Sequence, residues 1–178
     1  MDSYRLEKGL VQVYTGNGKG KSTAAFGLAL RAAGQGLRVL IVQFLKAGDY
    51  GEHRSLVKLR PEVEIRSFGR PGFIKPGRAG EEDVRLAGEG FCLAEKEVTG
   101  GEWDVVILDE INSAVQFGLI PVDKVLSLIS RKPAHVELVL TGRNAPEEVV
   151  AAAHLVTEMR EVKHPYQNKI PARRGIEY

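Results

Sequence analysis

Short apolar runs alternate along the chain with longer amphipathic stretches. The runs are Leu10 to Tyr14, Arg38 to Phe44, Val63 to Phe68, Trp103 to Glu110, His135 to Gly142 and Leu155 to Val162. Their length and β-branched content predict strands. Ser22 to Ala33 carries an Ala and Leu stripe with Phe26 and stops at Gly34, while Gly80 to Thr99 begins on Glu81-Glu82-Asp83 and stops at Gly100-Gly101. Both predict helices, because carboxylates suit the positive end of the helix dipole and glycine suits a left-handed cap. Pro121 opens a third helix that Pro133 ends, and Pro146 with Glu147-Glu148 opens a fourth. Strands apolar on both faces, each followed by a helix, predict an α/β fold: a mostly parallel twisted sheet of about six strands with helices on both faces. Gly69 to Gly80 predicts a long loop, and residues 163–178 an irregular C-terminal segment.

Composition narrows the function classes. A chain of 178 residues predicts one domain spanning 1–178, and 43% hydrophobic with 27% charged residues is ordinary globular usage. A formal charge of +2, evenly spread, argues for no nucleic-acid partner. Runs such as Val105 to Leu108 fall far short of the ~20 residues of a membrane span. Met1 to Arg5 leads into no secretory signal, so the expectation is a soluble, cytoplasmic protein without a membrane partner. The single cysteine, Cys92, has no partner for a disulfide or metal motif and is expected to fill the core. His53, His135, His154 and His164 show no metal-ligand spacing and are expected to be structural or surface residues.

Chemistry enters directly after the first predicted strand, with Gly16-Asn17-Gly18-Lys19-Gly20-Lys21-Ser22 leading into the first helix. Glycines let backbone N–H groups turn inward, the helix N-terminus adds partial positive charge and Lys21 a full one, so the segment suits phosphate. Ser22 offers a hydroxyl to Mg²⁺. The usual phosphate-loop spacing puts Gly five places before Gly20; Thr15 stands there, and with Gly16 as first glycine the loop is one residue short. The strand Val105 to Leu108 ends in Asp109 and Glu110, carboxylates that hold or polarise a metal opposite such a loop, Glu110 as the favoured ligand and Asp109 as a ligand or its support.

These segments resemble the ATP:corrinoid adenosyltransferases of the RecA-like, phosphate-loop type. The likeness runs nearly end to end: GNGKGKST at 16 to 23, AAFGLALRA at 24 to 32, VQFLK at 42 to 46, VVILDEIN at 105 to 112, ELVLTGRNAP at 137 to 146, LVTEM at 155 to 159, and the ending KHPYQNKIPARRGIEY. The resemblance implies transfer of the 5′-deoxyadenosyl group of ATP to the cobalt of a reduced corrinoid, with release of triphosphate. It also implies Mg²⁺ or Mn²⁺, an electron donor such as a flavoprotein, a homodimer, and a nucleotide held in reversed polarity on the shortened loop. By motif position, Gly16 to Ser22 hold the triphosphate, Lys21 and Glu110 serve the reaction, Ser22, Glu110 and Asp109 hold the metal, and Arg31 and Arg143 reach the nucleotide. Phe73 matches an aromatic position that helps displace the lower cobalt ligand, although Lys75 stands where some members have tryptophan, and Ala47 follows VQFLK where glycine is common. The ending implies a corrinoid or subunit contact for the tail.

Cobalt(I) is a strong nucleophile and needs no protein base, so the absence of a Ser-His-Asp or Cys-His set fits. Two other readings share the loop: a small-molecule kinase, which would release ADP, and a RecA-like nucleotide-gated module. Thr15, Gln43 to Lys46, Asp109-Glu110 and Thr141 to Arg143 all follow strand ends and are expected to converge on one crevice.

Overall fold

Every position of β2 (Val39–Phe44) and β4 (Val105–Asp109) is buried, as a continuous apolar run requires when a strand has neighbours on both edges and cover on both faces. The computed structural model describes residues 5–48, 50–71 and 79–177. In chain order the remaining elements are β1 (Val11–Thr15), α1 (Lys21–Ala33), α2 (Gly51–Leu56), β3 (Val63–Phe68), α3 (Glu81–Gly100), α4 (Ile111–Gln116), α5 (Val122–Arg131), β5 (Glu137–Thr141), α6 (Glu147–Ala152) and β6 (Leu155–Glu158). The described strands form one parallel sheet in the order β3-β2-β4-β5-β1-β6. This is the predicted α/β architecture.

Strand alternation divides the core into two layers. Leu40, Val42, Phe44, Val106, Leu108, Leu138 and Leu140 face Ala87, Phe91 and Ala94 of α3, Ile111 of α4, Leu128 of α5 and Val149 of α6. Val39, Ile41, Val105, Ile107 and Val139 face Ala25, Phe26, Ala29 and Ala32 of α1 and Leu56 of α2. The predicted cap of α3 is present: Asp83 accepts the Gly80 N–H at 2.8 Å, and Gly101 takes φ 68° just past the helix.

Several expectations are corrected. Cys92 is exposed; it follows the buried Phe91 on α3, and one residue is ~100° round a helix, which turns its side chain outward. Leu30, in the predicted apolar stripe of α1, is 58% exposed because Ala25, Phe26, Ala29 and Ala32 occupy the sheet-facing side. Gly34 stays right-handed at φ −63°, and the left-handed turn comes at Gly36, φ 78°. All four residues of β6 are exposed, so this edge strand lacks the cover expected on both faces. α2 and α4, six residues each, went unpredicted because a helix so short shows little period and, unlike α6, neither opens on a proline followed by paired acids. The C-terminal segment carries a 3₁₀ turn, Pro165–Asn168. Residues 72–78 of the predicted loop, Phe73 among them, lie outside the described residues.

Candidate nucleotide site

The carboxyl ends of β1, β2, β4 and β5 deliver their following residues to one cleft of about 640 Å³. Its lining includes Asn17, Gly18, Lys19, Gly20, Lys21, Ser22, Lys46, Glu110 and Arg143. Of the residues expected to converge at the strand ends, Lys46, Glu110 and Arg143 line the cleft, while Thr15, Gln43, Asp109 and Thr141 do not.

The loop between β1 and α1 is shaped by what stands behind it. Gly16 has φ 94°, and a Cβ there would lie 2.5 Å from the Met159 carbonyl oxygen. At Gly18 a Cβ would lie 2.7 Å from the same oxygen, and the Gly18 N–H donates to it at 2.6 Å. Only glycine allows so close an approach. The residues just past β6 therefore back the loop and engage one of its N–H groups. Lys21 curls over the loop, its Nζ donating to Gly16 O at 2.7 Å and Gly18 O at 2.8 Å. An ammonium has three donors, so a third is left for an anion. Burial lowers the Lys21 pKa below the ordinary lysine range; Glu110 opposes this, while Arg143 and Lys46 add to it.

The acid pair is fixed by polar side chains from neighbouring strands. Asp109 is fully buried: Oδ1 accepts from Thr141 Oγ1 at 2.7 Å, and Oδ2 accepts from Gln43 Nε2 at 3.0 Å and Lys46 Nζ at 3.2 Å. Burial alone would raise its pKa; Lys46, Gln43 and Thr141 outweigh this and hold it below the usual carboxylate range. Glu110 sits at φ 64°, uncommon outside glycine, where its N–H donates to Thr141 Oγ1 at 2.9 Å and its Oε2 accepts from Ser113 Oγ at 2.6 Å. Lys46 Nζ lies amid three oxygens: Asp109 Oδ2, Ser22 Oγ at 3.3 Å and Glu110 Oε1 at 3.7 Å. Burial would lower its pKa, but the two carboxylates raise it above the ordinary lysine value.

Not every residue singled out in the sequence arrives. Gly16 packs behind the cleft wall, and Asp109 stands beneath it. Arg31 is exposed in the last turn of α1, ten residues or ~15 Å along the axis from Lys21, and does not line the cleft. The tail does arrive: His164, Gly175, Ile176 and Glu177 line the cleft beside the loop. Lys19 Nζ donates to Ile176 O and Glu177 Oε1, each at 3.0 Å. Ser113 was not picked out from the sequence, where it follows the strand's two acids without a motif of its own. Gln43 had a signal of its own, a polar residue inside an apolar strand.

The family model for ATP:corrinoid adenosyltransferase BtuR/CobO/CobP matches residues 7–178. This chain belongs to the ATP:corrinoid adenosyltransferase family. It is similar to the corrinoid adenosyltransferase of Pseudomonas aeruginosa, 37% identical over 175 residues, covering 98% of this chain and 86% of that one. The corrinoid adenosyltransferase of Escherichia coli K12 is 35% identical over 173 residues, covering 97% and 87%. That of Salmonella typhimurium is 35% identical over 178 residues, with the same coverage. Among solved structures, a KaiC-like protein from Pyrococcus horikoshii shares the fold, with TM-score 0.56 and 16% identity over 88% of this chain and 74% of that one. Among the described residues no helix is long and apolar enough to cross a membrane, and no group of three or more His, Cys, Asp or Glu side chains could by itself hold a metal ion.

Proposed function

We propose that this adenosyltransferase-family chain moves the 5′-deoxyadenosyl group of ATP onto the Co(I) centre of a corrinoid, forming a cobalt–carbon bond and releasing triphosphate. The observation that carries the reading is the family match over residues 7–178, which spans the glycine loop, the acid pair and the tail. The geometry agrees with it. Lys21, Lys46 and Arg143 bring positive charge to one cleft beside the N-terminus of α1, where a polyphosphate leaving group would accumulate negative charge. The placement of ATP sets C5′, rather than the terminal phosphorus, toward the attacking cobalt, and the protein's contribution is orientation and charge rather than proton transfer.

Ser22 Oγ, Glu110 and Asp109 form an all-oxygen set that already surrounds an ammonium, that of Lys46. Such a hard donor set fits Mg²⁺ or Mn²⁺, which rely on one or two carboxylates completed by phosphate oxygens and water. Glu110 and Ser22 would hold the ion and Asp109 would orient them, and the bound ion would neutralise phosphate charge. Here Lys46 holds Asp109 below the usual carboxylate range, and Lys21 and Arg143 bring further positive charge to the same cleft. A cytoplasmic homodimer of single-domain subunits, supplied with electrons by a flavoprotein, completes the reading; Phe73 and Arg31 enter it through the resemblance alone.

The test is anaerobic incubation of the protein with ATP, Mg²⁺ and chemically reduced corrinoid. The expected outcome is the absorbance spectrum of an alkylated cobalt product and one triphosphate per product. ADP in place of triphosphate would instead mean phosphoryl transfer.

A further inference from the structure

The tail meets the phosphate loop across 157 residues of sequence: Lys19 Nζ donates to the carbonyl of Ile176 and to Oε1 of Glu177. The contact is made by a preformed unit. Ile176 and Glu177 N–H groups donate to Arg173 O at 3.2 and 3.0 Å, and the Arg173 N–H donates to Glu177 Oε2 at 2.8 Å. The Arg173 guanidinium donates to both carboxylate oxygens at 3.2 and 3.1 Å. Glu177 thus locks a single turn and presents a fixed carboxylate to the loop, its pKa held at about 2 by Arg173 and Lys19. Gly175, Ile176 and Glu177 also form part of the wall of the cleft that Lys21 and Ser22 line.

Lys19 lines that cleft with Lys21 and Ser22, so an anion bound on the loop would draw on the same cation. We propose that the turn from Arg173 to Glu177 is an anionic latch: the Glu177 carboxylate occupies Lys19 and competes with polyphosphate for it, so the tail lifts as a polyphosphate binds and returns as it leaves. The inference rests on the phosphate reading of the loop and adds a gate to it.

Inorganic tripolyphosphate titrated calorimetrically into the full-length chain tests the latch without corrinoid or turnover. Glu177→Gln is expected to bind roughly two- to fivefold tighter than the unaltered protein, the scale of one exposed ion pair removed. The gain shrinks in about 0.5 M salt, where such pairs are screened. It vanishes when Lys19→Gln is already present, because the competition runs through that ammonium. Glu148→Gln, exposed at the start of α6, controls for net charge. Equal or weaker binding by Glu177→Gln, a gain that survives Lys19→Gln, or the same gain from Glu148→Gln overturns the latch. On the unaltered chain, tripolyphosphate is expected to speed carboxypeptidase trimming of the tail; unchanged or slower trimming overturns the lifting step. If neither the unaltered chain nor Glu177→Gln binds tripolyphosphate, the phosphate reading itself falls and the latch with it. If the latch alone fails, cobalt alkylation by the unaltered protein is still observed.

Discussion

Lys21→Ala separates what the first lysine of α1 does for the fold from what it does for the reaction. In the fold its ammonium donates to two loop carbonyls at 2.7 and 2.8 Å, and bonds from a charged donor are worth ~1.5–3 kcal/mol each at most. Against this, burial penalises the cation, and Arg143 and Lys46 add repulsion that Glu110 only partly relieves. The two effects oppose each other, so the net change is about 1 kcal/mol or less, ~2–4 °C in Tm. The sign with pH follows from the lowered pKa. Between the folded value and the higher unfolded value the unfolded chain binds more protons, so stability due to this group rises with pH through that window and is least below it. Alanine removes that rise, and the Tm difference between the two proteins therefore shifts in favour of the unaltered protein as pH climbs into the alkaline range.

The reaction offers no such compensation. A cation directed at the charge that develops on a leaving polyphosphate is worth ~2.7–4 kcal/mol, or ~10²–10³ in rate. The assay is the initial rate of cobalt alkylation at saturating ATP, followed by absorbance, with Tm measured by circular dichroism on the same preparation. Transfer within a few-fold of the unaltered protein would refute the role given to Lys21. So would a Tm loss of ten degrees or more, since inactivity would then report a broken loop.

Two further outcomes are expected. Asp109→Asn leaves the Lys46 ammonium without its 3.2 Å partner and should cost ~3–5 kcal/mol, seen as a Tm lower by roughly 10 °C; because the Asp109 pKa is depressed, its stabilisation is present above the unfolded carboxylate range and is lost as pH falls through the folded value, so the variant's acid unfolding curve should be flatter. Gly16→Ala puts a side chain at φ 94° and 2.5 Å from a backbone oxygen, costing ~1–2 kcal/mol for the conformation and ~1–3 for the overlap; an unchanged Tm and unchanged tripolyphosphate affinity would show that Met159 does not set the loop.

What could be read in the sequence was whatever a local pattern encodes. β2, β4 and β5 announce themselves because a parallel strand buried on both faces must be apolar along most of its length. The loop announces itself because positive φ and close backbone approach restrict Gly16 and Gly18 to glycine. Cys92 and Leu30 were misplaced because composition says what a side chain is and only the helix phase says where it points. β6 was expected to be covered because Leu155 and Val156 are apolar; it is one of the two edge strands, exposed on both faces, and edge position is a property of strand order. The polar frame of the acids depends on that order too. Gln43 and Thr141 stand one on each side of β4 only because β2 and β5 are its neighbours.

The shortened loop and the cluster of cations around it belong to one argument. In a phosphate loop of full length the backbone N–H groups carry much of the phosphate contact. Here the loop is a residue shorter, and the N–H of Gly18 is turned to Met159 O at 2.6 Å, so fewer backbone donors remain for a ligand. The charge of a triphosphate must then be met by side chains, and the fold sends them from separate places: Lys19 and Lys21 from the loop and α1, Lys46 from beyond β2, Arg143 from beyond β5. Side chains can move where backbone cannot. Lys19 is shared with the tail and Lys46 with the acid pair, so two of the four cations are held by internal carboxylates and become available to a polyanion only by exchange. A site built this way must exchange those ion pairs to take up a polyanion and can re-form them when the polyanion leaves.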